Sequence, residues 1–382
     1  MRTLLVTGPG GAGTSTVAAA AALRAARSGR DTLLLARGTP PVAGLDDEPH
    51  LAVRPVGGPR AVGELWAAHA RTLSGLLPHL TLPPATSVVP LPGAGDLAML
   101  AALGSADADL VVVDAGPLAD GLALAALPGT LRWWLDQLLP PSVRALAAVR
   151  TAGVSAGTVR PGPVDAVIGA LPALEGLLRG DRLADASGTA VWLTGEARGP
   201  AAAALRRATT VLGLHGLDPA AVVVRALPAG GPEDWWRDRA AAQEAALRAL
   251  AELAPVHAVR ETPEGPADAA AALALLDGLD LPSSGGPAAP APRRVEGGWE
   301  LSVPLPFAER GAIALTRWGD DLVVGVGEDR RSLRLDSLLR RCEVTGGRLA
   351  DPGTATARLV VSFRPDPQQW PADLLAAEGR TS

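Results

Sequence analysis

The 382-residue sequence predicts a two-part α/β protein: a doubly wound, mostly parallel sheet domain followed by a small all-β sandwich. Two observations carry this. Short apolar runs alternate with longer helical patterns over residues 1–280, and beyond a Pro/Ala/Gly-rich stretch the pattern becomes short strands separated by turn signals. A third sharpens it. Runs such as Leu110-Val111-Val112-Val113 are continuous rather than alternating, as in strands buried on both faces of a parallel sheet.

In chain order, strands are expected at 3–7, 31–35, 51–55, 87–91, 110–114, 189–194, 221–226 and 255–259. Helices are expected at 15–28, 60–76, 97–106, 200–212, 233–253 and 267–279. Residues 131–139 read as an amphipathic helix ended by Pro140-Pro141, and a further helix is expected over 164–178. Residues 281–294 read LPSSGGPAAPAPRR, a linker without periodicity that separates the domain at 1–280 from a β-sandwich at 295–366. The second domain's strands are expected at 299–304, 312–316, 322–327, 332–335, 342–345 and 357–363. Residues 367–382 form a tail, expected as a short helix from Pro371.

Composition narrows the function. A net charge of −5 gives no general attraction to nucleic acid, and no stretch has the length of a membrane span, so the cytoplasm is the expected compartment. The single Cys342 excludes an intramolecular disulfide and a Cys-rich zinc site. His50, His69, His79, His215 and His257 show no metal-ligand spacing. Lys, Asn and Tyr are absent, as a GC-rich genome would produce.

The strongest chemical signal is the run Gly8-Pro9-Gly10-Gly11-Ala12-Gly13-Thr14-Ser15-Thr16, between an apolar strand and a helix. Glycines let backbone N–H groups turn inward, and the helix N-terminus adds partial positive charge, which together make an anion cradle. Ser15 stands where a hydroxyl ligand to Mg²⁺ would sit, and Asp114, ending a buried strand, fits the second Mg²⁺ contact. The competing readings are a glycine turn of a dinucleotide-binding fold and an Asp that caps its own turn.

This segment resembles the deviant P-loop of ArsA-type ATPases, which include arsenite-pump subunits and tail-anchored-protein targeting factors. The family loop reads GKGGVGKT. Val111-Val112-Val113-Asp114-Ala115-Gly116-Pro117 resembles the family's second switch, and Ala221-Val222-Val223-Val224-Arg225-Ala226-Leu227-Pro228 is similar to the strand and loop flanking the adenine. The resemblance spans residues 1–280 and implies ATP and Mg²⁺ bound at Gly8, Gly10, Gly11, Ala12, Gly13, Thr14, Ser15 and Thr16, with Asp114 on the metal. The departures matter as much. Pro9 and Thr14 replace the two family lysines, and Ala36-Arg37-Gly38-Thr39-Pro40-Pro41 lacks the carboxylate of the first switch. Genome bias explains Lys becoming Arg, not Pro or Thr. Losing one donor to a developing charge costs about 10²–10³ in rate, so hydrolysis by this chain alone is expected to be very weak.

Residues 295–365 resemble the α-crystallin or small heat-shock domain at the end of some actinobacterial ArsA-like proteins, on Trp299-Glu300-Leu301-Ser302-Val303-Pro304, Leu322-Val323-Val324-Gly325-Val326 and Leu359-Val360-Val361-Ser362-Phe363. Trp133 and Trp134 fit either a client groove or core packing, with core packing the stronger reading. Arg330, Arg331, Arg334, Arg340 and Arg341 fit either a site for an acidic partner or a solvated sheet face, with the solvated face the stronger reading, and Cys342 reads as a small buried hydrophobe.

The expectation is therefore a degenerate subunit that binds nucleotide weakly, acting as a regulatory or structural partner in a homo- or heterodimer with an ArsA-like relative. The alternatives are a slow ATPase using an arginine such as Arg37 or one from a partner chain, and an interaction or holdase module, with a protein client, led by the β-domain.

Overall fold

The computed structural model describes residues 2–56, 63–64, 66–67, 70, 82–89, 92–156, 175–176, 178, 182–183, 185, 187–228, 230–282 and 290–370. The helices expected over 60–76 and 164–178, the centre of the linker and the tail from residue 371 lie wholly or largely outside them.

Seven strands make one parallel sheet: β1 (Arg2–Gly8), β2 (Thr32–Ala36), β3 (Leu51–Pro55), β4 (Leu110–Pro117), β5 (Thr189–Glu196), β6 (Pro219–Ala226) and β7 (Val256–Arg260), in the order β3-β2-β4-β1-β5-β6-β7. The apolar runs are buried on both faces, as their continuity predicts: Leu4, Leu5, Leu34, Val111, Val112, Val113 and Val222 are at most 1% exposed. Each such side chain contributes about 1.5–3 kcal/mol relative to exposure.

The helices are α1 (Thr14–Arg27), α2 (Ala94–Gly104), α3 (Leu118–Leu138), α4 (Pro141–Ser155), α5 (Gly199–Leu214), α6 (Asp234–Ala251) and α7 (Ala269–Ala274). α1 buries its run Ala18 to Ala22. Such small side chains allow close approach. Gly29, at φ 82, ends it in the left-handed conformation that L-residues disfavour.

Two expectations need correction. The helix expected over 131–139 is the last part of a longer one: α3 begins at Leu118 and carries Pro128 inside it. The strand expected at 87–91 is absent from its described part, where Ala85–Ser87 is a 3₁₀ turn entered from Pro84. Within the expected span, Pro90 has no ladder donor to give.

Seven antiparallel strands follow: β8 (Pro292–Val295), β9 (Gly298–Pro304), β10 (Ile313–Trp318), β11 (Asp321–Val326), β12 (Asp329–Arg334), β13 (Cys342–Ala350) and β14 (Arg358–Pro365). They form a three-stranded sheet β10-β11-β12 and a four-stranded sheet β13-β14-β9-β8. β8 begins within the segment read as linker, because Pro292 to Val295 pair with Leu301 to Gly298 across a Glu296-Gly297 turn. The sandwich core gathers Trp299, Leu301, Val303, Leu322, Val324, Leu359, Val361 and Phe363, with Trp370 stacked on Trp299 at 5.3 Å.

By compactness the chain divides into two units, each discontinuous in sequence: 1–7, 14–185 and 264–281, against 8–13, 186–263 and 282–382. The β-sandwich therefore shares its unit with β5, β6, β7, α5 and α6.

Candidate functional site

The glycine loop joins β1 to α1. Gly8 is glycine because of a close approach: a Cβ there would collide with the backbone and hydroxyl of Thr194 on β5. Gly11 and Gly13 are glycine for another reason, holding φ of 80 and 84, a region L-residues disfavour. The turn is closed by Ala12 N–H donating to Pro9 O at 3.1 Å. Gly10, Gly11 and Gly13 are exposed, and a Cβ on any of them would meet nothing within 4 Å. Among the described residues, no packing fills the open face of the loop. Thr14 opens α1 and is 8% exposed; Ser15 and Thr16 are half-buried, and the first turn carries no acidic residue. The loop 8–13 groups with the second unit, while Thr14, Ser15, Thr16 and Asp114 lie in the first.

Asp114 sits in β4 at 4% exposure, its Oδ1 accepting from Gly116 N at 3.1 Å. Gly116 has φ 73, and a Cβ there would come 2.8 Å from Arg37 Cδ. Thr7 Oγ1 donates towards Gly116 O at 3.1 Å and Pro117 O at 3.3 Å, and Gly121 leaves room for that threonine. The carboxyl ends of β1 and β4 are thereby locked together, at the edge of the sheet where open α/β folds bind ligands.

Arg37 follows β2 and is fully engaged. Its Nε donates to Ala115 O at 2.6 Å, its Nη2 to Asp96 Oδ1 at 2.6 Å, and Asp120 Oδ2 stands 3.9 Å from Nε. The sequence named this arginine as a replacement cation; the geometry makes it a tie between β2, β4, α2 and α3.

A second constellation, which sequence reading missed, surrounds the end of α5. Leu214, fully buried, belongs to the core of the β-sandwich. Thr210 Oγ1 donates to Pro306 O at 2.6 Å, and a Cβ on Gly213 would strike the Pro306 ring. Arg331 Nη1 donates to Leu214 O at 2.6 Å, placing a cation on the helix C-terminus, where the dipole favours it. Burial lowers the Arg331 pKa. It also holds His215 down to about 4, with the Arg331 charge adding to the effect, and His215 Nε2 has no hydrogen-bond partner among the described residues. The solvated face expected of the arginines thus fails at Arg331. Arg334 and Arg340 fit it, each about a third to a half exposed and within 3.8 Å of Asp320.

Trp134 is 52% exposed and Leu138 67%, so the core-packing reading does not hold for that end of α3; Trp133 meets Trp134 edge-on at 5.0 Å. Cys342 is buried, as expected. Among the described residues no group of three His, Cys, Asp or Glu side chains could hold a metal ion, and no helix is long and apolar enough to cross a membrane.

The glycine loop leads into the hydroxyls of Thr14, Ser15 and Thr16, and residues 8–16 carry no charged side chain. Comparison with known proteins places these features in context. Residues 296–363 match the model of an HSP20-like domain found in ArsA. Over 97% of its length the chain is 39% identical to 99% of the Streptomyces coelicolor protein SCO2128. It is also 29% identical to the Mycobacterium tuberculosis protein Rv2184c, with 97% of each chain covered.

Proposed function

Because the chain belongs to the family of SCO2128 and ends in an HSP20-like domain of the kind found in ArsA, we propose that it is an ArsA-related, nucleotide-responsive subunit without effective catalysis. It binds Mg-ATP weakly and acts as a regulatory or structural partner, pairing with itself or with a catalytically intact relative. The observation that carries this reading is the open glycine loop, with Gly11 and Gly13 left-handed at the start of α1, beside a buried Thr14 in place of a cation.

The residues fit a nucleotide phosphate in one respect and not in another. The backbone amides of residues 10–14 would hold phosphate oxygens, and Ser15 and Asp114 would hold Mg²⁺, directly or through water. Bound Mg-ATP would supply a charged, polarised phosphoryl group. The chain's own contribution stops at binding: Pro9 and Thr14 carry no charge, residues 36–41 carry no carboxylate, and Arg37 is tied to Asp96 and Ala115. Those ties count against Arg37 as the cation of a slow ATPase.

The test is calorimetric titration of the purified chain with Mg-ATP, with Ser15→Ala/Asp114→Ala as control. Saturable binding that disappears in the control, without turnover, is the expected result. Hydrolysis at the rate of lysine-bearing relatives, lost in Asp114→Ala, would sink the proposal; absence of binding would reduce the α/β part to a scaffold.

A further inference from the structure

A cavity of about 520 Å³ in the second unit lies where the end of α5 and the starts of β6 and β7 face the β-sandwich. Its wall includes Asp218, Pro219, Pro255, Pro304, Pro306 and Phe307. The volume is in the range of small-molecule sites. Four of those six residues are prolines, which have no backbone N–H to give.

Asp218 is the anomaly. Burial pushes its pKa up, yet it makes no hydrogen bond or ion pair with any described residue. Asp218 is half-buried, so its carboxylate is only partly hydrated, and a cation entering the cavity would give it the partner it lacks. The other charged side chain of the wall, Arg358, is already neutralised by Asp351 at 2.7 Å. The cavity thus presents one uncompensated negative charge at the side of an apolar, proline-walled space. We propose that this cavity is a binding site for a guanidinium or ammonium group carried on a short apolar stem. The stem lies against the prolines and Phe307, and the cationic head donates to Asp218. Such a ligand touches both the α/β segment and the β-sandwich, so binding it rigidifies their junction. The site is separate from the glycine loop and stands or falls independently of it.

The full-length chain is titrated with butylguanidinium and butylammonium chlorides, and with a blocked Gly-Arg-Gly peptide. Asp218→Asn and Ser302→Trp serve as variants; Ser302 lines the cavity from an exposed position of β9. Saturable binding is expected, weakened about tenfold or more by Asp218→Asn and blocked by Ser302→Trp. Tighter binding of the peptide identifies a protein's arginine as the source; tighter binding of the small cations identifies a free amine or guanidine. Equal affinity in wild type and Asp218→Asn overturns the proposal, as does no saturation at about 10 mM ligand, the signature of a cavity that holds only water. Should Asp218→Asn not fold, unchanged binding by Ser302→Trp overturns it equally.

Discussion

His215 shows what a single residue's setting does to the whole. Its folded pKa of about 4 lies below the ordinary 6.5, because burial and the Arg331 charge disfavour the imidazolium. Between these values the unfolded chain holds a proton that the folded chain does not, so stability falls as pH drops from 6.5 towards 4. The full effect is about 3 kcal/mol. Urea unfolding of wild type and His215→Gln should show the difference between them shrinking as pH falls through this window; parallel pH profiles would refute it. Two glycines make a matched pair at the same scale. Gly213→Ala drives a methyl into the Pro306 ring and is expected to cost about 1–3 kcal/mol. Gly129→Ala, within α3 and with nothing within 4 Å of its Cβ, should be neutral or stabilise by up to about 1 kcal/mol. Both are read from chemical denaturation midpoints. None of this was legible in the sequence: Gly213 and Pro306, His215 and Arg331, Arg37 and Asp96 are far apart along the chain. The glycine loop was legible because its signal is local, a spacing of residues that permit positive φ.

At the scale of elements, strands with continuous Val/Leu runs were readable, since burial on both faces leaves no ambiguity of period. The failures were proline failures. Pro128 sits inside α3 at a buried position, so tertiary packing overrides the local penalty. Pro292 opens β8 at a sheet edge, where a missing donor costs little. A more consequential fact concerns α5. Its last residue, Leu214, is part of the sandwich core, its Thr210 bonds to Pro306, and its terminal carbonyl is capped by Arg331. The β-sandwich is therefore completed by a helix from the α/β segment. A fragment of residues 290–370 loses a buried leucine, about 2–5 kcal/mol by analogy with leucine truncation, and exposes the cavity that remains. It is expected to melt well below the sandwich in the full chain, or to aggregate, by circular dichroism and light scattering. A fragment with the stability it has in the intact chain would make the α5 contact dispensable and revive the independent holdase module.

At the scale of the molecule, catalysis by phosphoryl transfer is almost wholly positioning and electrostatics, so parts can be lost separately and their losses read separately. Binding needs inward amides and a metal contact, which the proposed reading assigns to residues 10–16 and to Asp114. Turnover needs cations and a water-orienting carboxylate drawn from several strand ends at once. On that reading the chain keeps sequence elements suited to the first and lacks those for the second: Thr14 where the resembling family has a cation, no carboxylate in 36–41, and Arg37 tied to Asp96 and Ala115. The two requirements separate in one variant. Thr14→Lys restores a charged donor at the start of α1 and should tighten Mg-ATP binding by about tenfold, the value of one charged hydrogen bond. Single-turnover hydrolysis should stay at background, because the carboxylate is still missing and one cation cannot orient water. Tighter binding without turnover would establish that this family member lost catalysis in more than one step. Turnover restored by the lysine alone would mean that the missing carboxylate is not limiting, and the slow-ATPase reading would replace the one proposed here.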